Sequence, residues 1–130
     1  VRKGKRSAVA ILSYGAVLAE AVKAGELLAK EGIEADVVNA RFAAPLDEDI
    51  ISLARKGKAI VTVEDHSAAC GFGSAGLEAA AAAKVRKKPI MTIGAPKEFI
   101  KHDSRTSQLS YTGVSAEKIA QTVKALIAKE

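Results

Sequence analysis

The fold is decided by two stretches, VVNARFAAPLD over Val37–Asp47 and VTVEDH over Val61–His66. Each begins as an apolar strand and ends in polar or charged side chains. In an open α/β sheet, ligands and partner domains bind in the crevice outside the carboxyl ends of the strands. We therefore expect the working surface of this chain at the edge where these two strands end.

The rest of the chain alternates between apolar runs and helical periodicity. The patterns predict strands over 8–13, 34–39, 59–63 and 89–93, and helices over 17–31, 48–56, 74–83 and after Ser115. Gly32 is expected to end the first helix and Asp47 to cap the second, whereas Phe99–Gly113 is expected to be irregular with one helical turn near Gln108. This order predicts an α/β fold with three layers, in which a mainly parallel sheet of four to five strands has helices on both faces.

Length and composition favour a single domain. The chain has 130 residues, of which 48% are hydrophobic and 27% charged, and we expect a basic tail or linker remnant over 1–6 and one domain over 7–130. No apolar run approaches the length of about 18 residues that a membrane span requires, and no signal peptide pattern opens the sequence. The single cysteine, Cys70, cannot form an intrachain disulfide, so we expect a cytoplasmic protein.

The net charge of +5 does not by itself indicate a nucleic-acid partner. The basic residues form two short runs, within 2–6 and 84–88, and elsewhere they mix with acidic residues. Only five aromatic residues are present, and no nucleic-acid-binding motif is recognisable. We therefore expect the two runs to be a solvated tail and a solvated loop.

The segment Gly71–Gly76 matches the pattern G-x-G-x-x-G. In a dinucleotide-binding fold the first glycine follows directly on a strand and an acidic residue ends the next strand. Here residues 64–70 intervene, and the next strand ends at Ile93-Gly94. We instead expect a close backbone approach at a helix start, whose amides are able to receive a carboxylate or phosphate, and we take Gly71, Gly73 and Ser74 as anion-binding or interface candidates.

Charged side chains mark the predicted strand ends. Arg41, Glu64, Asp65 and His66 are candidates for an interface or for hydrogen bonds that support a neighbouring site. His66 is able to act as an acid or base, but no nucleophile or metal-ligand pattern accompanies it, and we assign no catalytic residue and no metal site. Arg41 either pairs with Glu64 across the edge or is solvated. Charge reversal by Glu64→Lys is expected to weaken docking and to leave the fold nearly intact.

Four segments carry a family resemblance. Val37–Asp47, Val61–His66, Gly71–Ala75 and Ile93–Ile100 resemble, in this order, the carboxyl-terminal domain of 1-deoxy-D-xylulose-5-phosphate synthases. These enzymes belong to the thiamine-diphosphate-dependent transketolase superfamily. The chain departs from their usual pattern at Ala44, Cys70 and Lys97, where the family has lysine, glycine and an acidic residue.

The resemblance implies a role as one part of a larger enzyme. The parent would condense pyruvate with glyceraldehyde 3-phosphate, with loss of carbon dioxide, at the start of isoprenoid precursor synthesis. Thiamine diphosphate and magnesium are implied for the parent, and the isolated chain is expected to bind neither and to be inactive. The implied partners are the two other domains and a second subunit of a homodimer. Two alternatives remain open: the carboxyl-terminal domain of a transketolase or of a 2-oxo acid dehydrogenase E1 component, and a free-standing module that binds a small anion.

Overall fold

Four parallel strands form the centre of the fold. The structure is a computed structural model that describes residue 3 and residues 7–56, 58–85 and 89–128. The strands are β1 (Val9–Tyr14), β2 (Ala35–Asn39), β3 (Ala59–Ser67) and β4 (Ile90–Ala95), and their order in the sheet is β2-β1-β3-β4. All three strand pairs are parallel, which confirms the predicted fold class.

Helices cover both faces of this sheet. They are α1 (Leu18–Lys30), which follows a 3₁₀ turn at Gly15–Val17, α2 (Glu48–Arg55), α3 (Phe72–Ala82), α4 (Arg105–Tyr111) and α5 (Ala116–Ile127). One core packs α1 and α5 against the sheet, and a second core packs α2 and α3 against its other face. None of the helices in the described parts of the chain is long and apolar enough to span a membrane.

The cores follow from the periodicity of the sequence. Leu28 of α1 and Ile119 and Val123 of α5 have no exposed surface, because they recur at helical spacing on the face turned to the sheet. In β1, side chains alternate between the two cores, with Ile11 in the first and Leu12 in the second. Each large aliphatic side chain buried in this way stabilises the fold by about 1.5 to 3 kcal/mol.

Three predicted helix boundaries are confirmed. The side chain of Asp47 accepts a hydrogen bond from the Asp49 amide at the start of α2, and the side chain of Ser115 accepts one from the Lys118 amide at the start of α5. Gly32 follows α1 with a φ of 79°. Apart from Lys3, the predicted tail over 1–6 lies outside the described residues, as do residues 86–88 of the second basic run.

Three predicted boundaries were wrong. Strand β3 continues to Ser67 rather than ending at Val63, because Ser67 still pairs with Ala95 of β4 beyond an irregularity in the register. Helix α3 begins at Phe72 rather than Ser74, because the side chain of Glu64 supplies its cap from across the fold. In the region expected to be irregular, the single helical turn predicted near Gln108 is the longer helix α4 (Arg105–Tyr111), whose extent was missed because no residue of this helix is buried.

Candidate functional site

The carboxyl end of β3 meets the amino end of α3 through one side chain. Glu64 is 1% exposed. Its Oε2 accepts a hydrogen bond of 2.8 Å from the amide of Phe72, and its Oε1 accepts one of 2.9 Å from the amide of Gly73. A carboxylate in this position satisfies two amides that the helix itself leaves unpaired, and it lies at the positive end of the helix dipole.

Glycines make this approach possible. A Cβ on Gly71 would lie 2.5 Å from the carbonyl oxygen of Ser67 and 2.6 Å from the side-chain carboxyl carbon of Glu64. A Cβ on Gly73 would lie 2.6 Å from Oγ1 of Thr62. Neither glycine has a positive φ, so both serve close packing rather than an unusual backbone conformation. The glycine-rich pattern therefore lets α3 start directly against β3.

Two further contacts fix the start of α3. The rings of Tyr14 and Phe72 are stacked with their centroids 5.4 Å apart, and Phe72 is buried. Oγ of Ser74 donates a hydrogen bond of 3.3 Å to the carbonyl oxygen of Ala68. The helix start is thus held by β1, by β3 and by the loop between β3 and α3.

This geometry changes the interpretation of two candidate groups. The helix-start amides were expected to be available to a ligand, but the carboxylate that they receive belongs to Glu64. Glu64 was also expected in an exposed polar patch, but β3 carries it beneath α3, where it is buried. Gly71, Gly73 and Glu64 therefore form one internal contact, which leaves the Phe72 and Gly73 amides with no free hydrogen for an external anion.

Asp65 forms an ion pair that sequence reasoning missed. Its carboxylate accepts a hydrogen bond from the guanidinium of Arg105, the first residue of α4. The hydrogen bond to Asp65, together with its charge, raises the pKa of Arg105. Both side chains are at least one-third exposed, so the pair orients α4 more than it stabilises the fold.

His66 follows Asp65 in β3 and is largely exposed. Its Nδ1 is 3.9 Å from Oε2 of Glu64, a separation too long for a hydrogen bond. The imidazole is 68% exposed. His66 is therefore able to present its imidazole ring to a partner at the carboxyl edge.

Arg41 stands apart from the other candidates. It follows β2, which β1 separates from β3, and adjacent strands are spaced about 4.8 Å apart. Within the described residues, Arg41 makes no ion pair, and its amide donates a hydrogen bond of 3.2 Å to Oδ1 of Asn39. Its φ of 61° is uncommon for a residue other than glycine. The solvated alternative for Arg41 therefore holds in this structure, and the pairing with Glu64 does not.

A groove lies between α4 and the segment before it. This α4 groove has a volume of about 430 Å³ and is lined by Phe99, Ile100, Lys101, Asp103, Ser107, Gln108 and Tyr111. Nε2 of Gln108 donates a hydrogen bond of 3.1 Å to the carbonyl oxygen of Lys101, and the hydroxyl of Tyr111 donates one to Glu98. That bond raises the pKa of Tyr111. These two contacts tie the segment before α4 to the helix.

The α4 groove was not found from the sequence. The one local signal was the spacing of Ser104 and Ser107, because Oγ of Ser104 accepts a hydrogen bond from the Ser107 amide and caps α4. The side chains that line the groove come from an exposed helix and an irregular segment. Neither produces a hydrophobic period.

The described residues contain no group of three histidine, cysteine, aspartate or glutamate side chains that could hold a metal ion. The Phe72 and Gly73 amides of the glycine-rich helix start are occupied by Glu64. These residues do not fit the diphosphate and metal of thiamine diphosphate, and we assign no chemical step through that cofactor to this chain.

Comparison with known proteins identifies a family and its members. Residues 1–119 match the family described as Transketolase, C-terminal domain. The chain is 41% identical over 128 residues to 1-deoxy-D-xylulose-5-phosphate synthase from Brevibacillus brevis, covering 98% of this chain and 20% of that protein. It is 42% identical over 123 residues to the synthase from Thermomicrobium roseum, covering 94% of this chain and 19% of that protein. The chain thus spans about a fifth of the length of the curated relatives it matches.

Solved structures show the same fold. A split-gene transketolase, solved as an inactive tetramer of four beta chains, superimposes with a TM-score of 0.84 at 25% identity. The match covers 96% of this chain and 41% of that chain. A mutant transketolase from Pichia stipitis superimposes with a TM-score of 0.67 at 19% identity, covering 95% and 17%. The second similarity is one of fold alone.

Proposed function

Because this chain belongs to the transketolase C-terminal domain family, we propose that it is the third domain of a 1-deoxy-D-xylulose-5-phosphate synthase. The observation that carries the proposal is 41% identity over 98% of this chain to one fifth of such a synthase. In this role residues 7–130 support domain packing and dimer assembly, and they carry no catalytic group by themselves.

The parent reaction is the condensation of pyruvate with glyceraldehyde 3-phosphate. Thiamine diphosphate, bound with magnesium by the other domains, supplies the carbanion chemistry that the condensation needs. This chain contributes a rigid sheet whose carboxyl edge faces its partners. The proposed location is the cytoplasm, in keeping with the single cysteine.

The site geometry supports a docking role over free-standing anion binding. Glu64 occupies the Phe72 and Gly73 amides, so a phosphate would have to displace a buried carboxylate to reach them. The exposed candidates are Arg41, Asp65 and His66, which lie at or beyond the carboxyl ends of two strands. Interfaces between domains of one chain are more polar than a core, and exposed charged and imidazole side chains suit such an interface.

A domain graft tests the proposal. The matching fifth of the Brevibacillus brevis synthase is replaced by this chain, and formation of deoxyxylulose phosphate is compared with the intact synthase and with one that lacks the domain. We expect the graft to restore activity to within about 100-fold of the intact enzyme, because a small misplacement at a distance from the chemistry costs up to about 100-fold. A graft as inactive as the truncated enzyme would contradict the proposal.

A transketolase parent is the second candidate, because the split-gene transketolase superimposes with a TM-score of 0.84. The same graft is therefore made in parallel into an active transketolase, in place of its carboxyl-terminal domain. Restored transketolase activity with no restored synthase activity would favour the second candidate. The isolated chain, assayed with pyruvate, thiamine diphosphate and magnesium, serves as the control in both arms and is expected to be inactive.

A further inference from the structure

The loop between β2 and α2 exposes an arginine and a phenylalanine next to each other. Phe42 is 64% exposed, although phenylalanine is among the residues most often buried. Arg41 is exposed as well, and within the described parts of the chain its guanidinium has no carboxylate partner. Arginine and aromatic side chains are enriched in protein interfaces, where a few such residues carry most of the binding energy. This pair is therefore suited to anchor a partner.

The loop that carries the pair is fastened to the fold. Ala43 and Leu46 are partly buried and pack against the second core. The amide of Arg41 donates a hydrogen bond of 3.2 Å to Oδ1 of Asn39, the last residue of β2. Phe42 is thus the one large apolar side chain of this loop that points away from the core, and it does so from a fixed position. A preformed surface loses little conformational entropy when it binds.

The backbone of Arg41 indicates that its side chain has a use. Its φ is 61°, in the left-handed region that costs free energy for any residue with a Cβ. Glycine would avoid this cost, yet the position holds arginine. Residues held in such conformations cluster at functional sites, and the exposed guanidinium is the group that arginine adds here.

The length of the parent identifies the partner. This chain spans 20% of the Brevibacillus brevis synthase, so under the proposed function most of the parent lies outside it. Arg41 and Phe42 come just after the carboxyl end of β2, at the edge that this function turns toward the other domains. Opposite charges across an interface favour association, so Arg41 requires a carboxylate on the partner, and Phe42 requires an apolar pocket.

The α4 groove differs in this respect. Phe99 is 93% exposed, but two polar contacts near it are closed within the chain, from Arg105 to Asp65 and from Tyr111 to Glu98. These four side chains already have partners, whereas the arginine of the β2–α2 loop has none in the described chain. Phe99 is therefore a matched control for the phenylalanine of that loop.

We infer that Arg41 and Phe42 anchor this chain to the remainder of its parent, with Arg41 paired to a carboxylate and Phe42 seated in an apolar pocket of that remainder. The inference rests on the proposed function. It names the two residues that carry the docking and the chemistry of the surface that receives them.

The test uses the full-length synthase graft and the 130-residue chain alone. Amide hydrogen exchange at residues 40–44 is measured in both, because docking slows the exchange of a covered loop. The ratio of the two rates gives the protection that docking adds. We expect Arg41→Asn and Phe42→Ala each to reduce this protection by about tenfold or more, because each removes half of the anchor. Asparagine tolerates the left-handed backbone, so Arg41→Asn reports on the side chain.

Two variants serve as controls. Arg55→Asn changes another exposed arginine, and Phe99→Ala changes the more exposed phenylalanine. Both should leave the protection of residues 40–44 unchanged. Thermal unfolding of each variant of the 130-residue chain verifies that it is folded.

Each outcome decides the inference. Protection that appears in the graft and is lost only in Arg41→Asn and Phe42→Ala supports it. Equal exchange in the graft and in the chain overturns it, as does protection that survives either change or is lost to the same extent in Phe99→Ala. The activity of the unmodified graft judges the proposed function separately. An inactive graft with a protected loop refutes that function alone, and an active graft with an unprotected loop refutes the anchor alone.

Discussion

Glu64 and Phe72 meet at the start of α3, where the Phe72 amide donates a hydrogen bond of 2.8 Å to Oε2 of a carboxylate that is 1% exposed. The amide of Gly73 occupies the other oxygen. A buried ionised group is tolerated where hydrogen bonds and a nearby positive potential compensate for its lost hydration, and the helix amino terminus provides both. Glu64 therefore bonds β3 to α3 and is not itself exposed for docking, unlike Asp65 and His66, which follow it in β3.

Removal of the Glu64 carboxylate should destabilise the fold. Glu64→Ala leaves two buried amides without an acceptor and should lower the free energy of unfolding by about 3 kcal/mol. Glu64→Gln retains one acceptor oxygen and should cost about half as much. Urea denaturation measures both variants. Equal stability of Glu64→Ala and the unmodified chain would contradict the capping role. Because Glu64 is buried, Glu64→Lys should disrupt the fold, whereas the sequence alone led us to expect a nearly intact fold.

Two glycines of α3 should respond in opposite ways to alanine. A Cβ at Gly73 would lie 2.6 Å from both Oγ1 of Thr62 and Cγ2 of Thr92, whereas a Cβ at Gly76 would have its nearest neighbour at 3.9 Å. Gly73→Ala should lower the free energy of unfolding by about 1 to 3 kcal/mol through overpacking. Gly76→Ala should raise it by up to about 1 kcal/mol, because alanine has the higher helix propensity. Thermal melts compare the two.

The same clash makes Gly73→Val more disruptive than His66→Ala. His66 is 68% exposed, and substitutions at exposed positions usually change stability by less than about 0.5 kcal/mol. Reversed or equal losses in thermal melts would mean that the packing of α3 against β3 is misplaced.

Cys70 occupies a backbone conformation that favours glycine. Its φ is 60°, and a residue with a Cβ loses about 1 to 2 kcal/mol in the left-handed region. Cys70→Gly removes that strain, but glycine increases the conformational entropy of the unfolded chain, which lowers stability by about 0.5 to 1 kcal/mol. We therefore expect the free energy of unfolding to rise by about 0.5 kcal/mol. Cys70→Ala keeps the Cβ and should show no gain; a larger gain for alanine in urea titrations would refute the strain argument.

Glu20 should make the stability depend on pH. Burial opposes its ionisation, but hydrogen bonds from Lys23 and from the Ala116 amide, with the charge of Lys23, outweigh burial and lower its pKa. A carboxyl group whose pKa is lowered in the folded state stabilises that state at pH values above its unfolded pKa of about 4.3. This stabilisation is lost as the pH falls through the pKa of the folded state. The difference in free energy of unfolding between the unmodified chain and Glu20→Gln should therefore be largest at neutral pH and should decrease in acid.

Glu26→Gln is the control for this measurement. Glu26 lies on the same helix and is exposed, and its side chain makes no hydrogen bond or ion pair within the described residues. Urea titrations at a series of pH values compare the two variants. A Glu20→Gln difference that stays constant with pH would show that the carboxylate does not cap α5.

The pair of Asp65 with Arg105 should hold α4 without adding much global stability. Both side chains are at least one-third exposed, and solvent screening leaves exposed pairs little net contribution to stability. Arg105→Ala should leave the melting temperature nearly unchanged but speed amide hydrogen exchange in α4, with less difference at high salt. Arg55→Ala removes an exposed arginine of α2 and should not affect α4. Unchanged exchange in Arg105→Ala would exclude the ion pair as the tether.

Local signals in the sequence were enough for the layered fold. Buried strands produce apolar runs, as in Val9–Leu12, and buried helix faces produce the spacing of Ile119, Val123 and Leu126. Capping by Asp47 and Ser115 acts over two or three residues. Each of these signals depends on neighbours close in the chain, and the parallel order follows from the alternation of strands and helices.

By itself the sequence determined the α/β class, its helix caps and its likeness to one family of domains, because periodicity and motifs are local properties. Only the tertiary structure decided that Glu64 is buried, that Gly73 is needed for packing against Thr62, and that Asp65 binds Arg105. Glu64 and Phe72 are eight residues apart, and Asp65 and Arg105 forty. Such contacts depend on how strands and helices are placed against one another, and an exposed helix such as α4 leaves no hydrophobic period to reveal that placement.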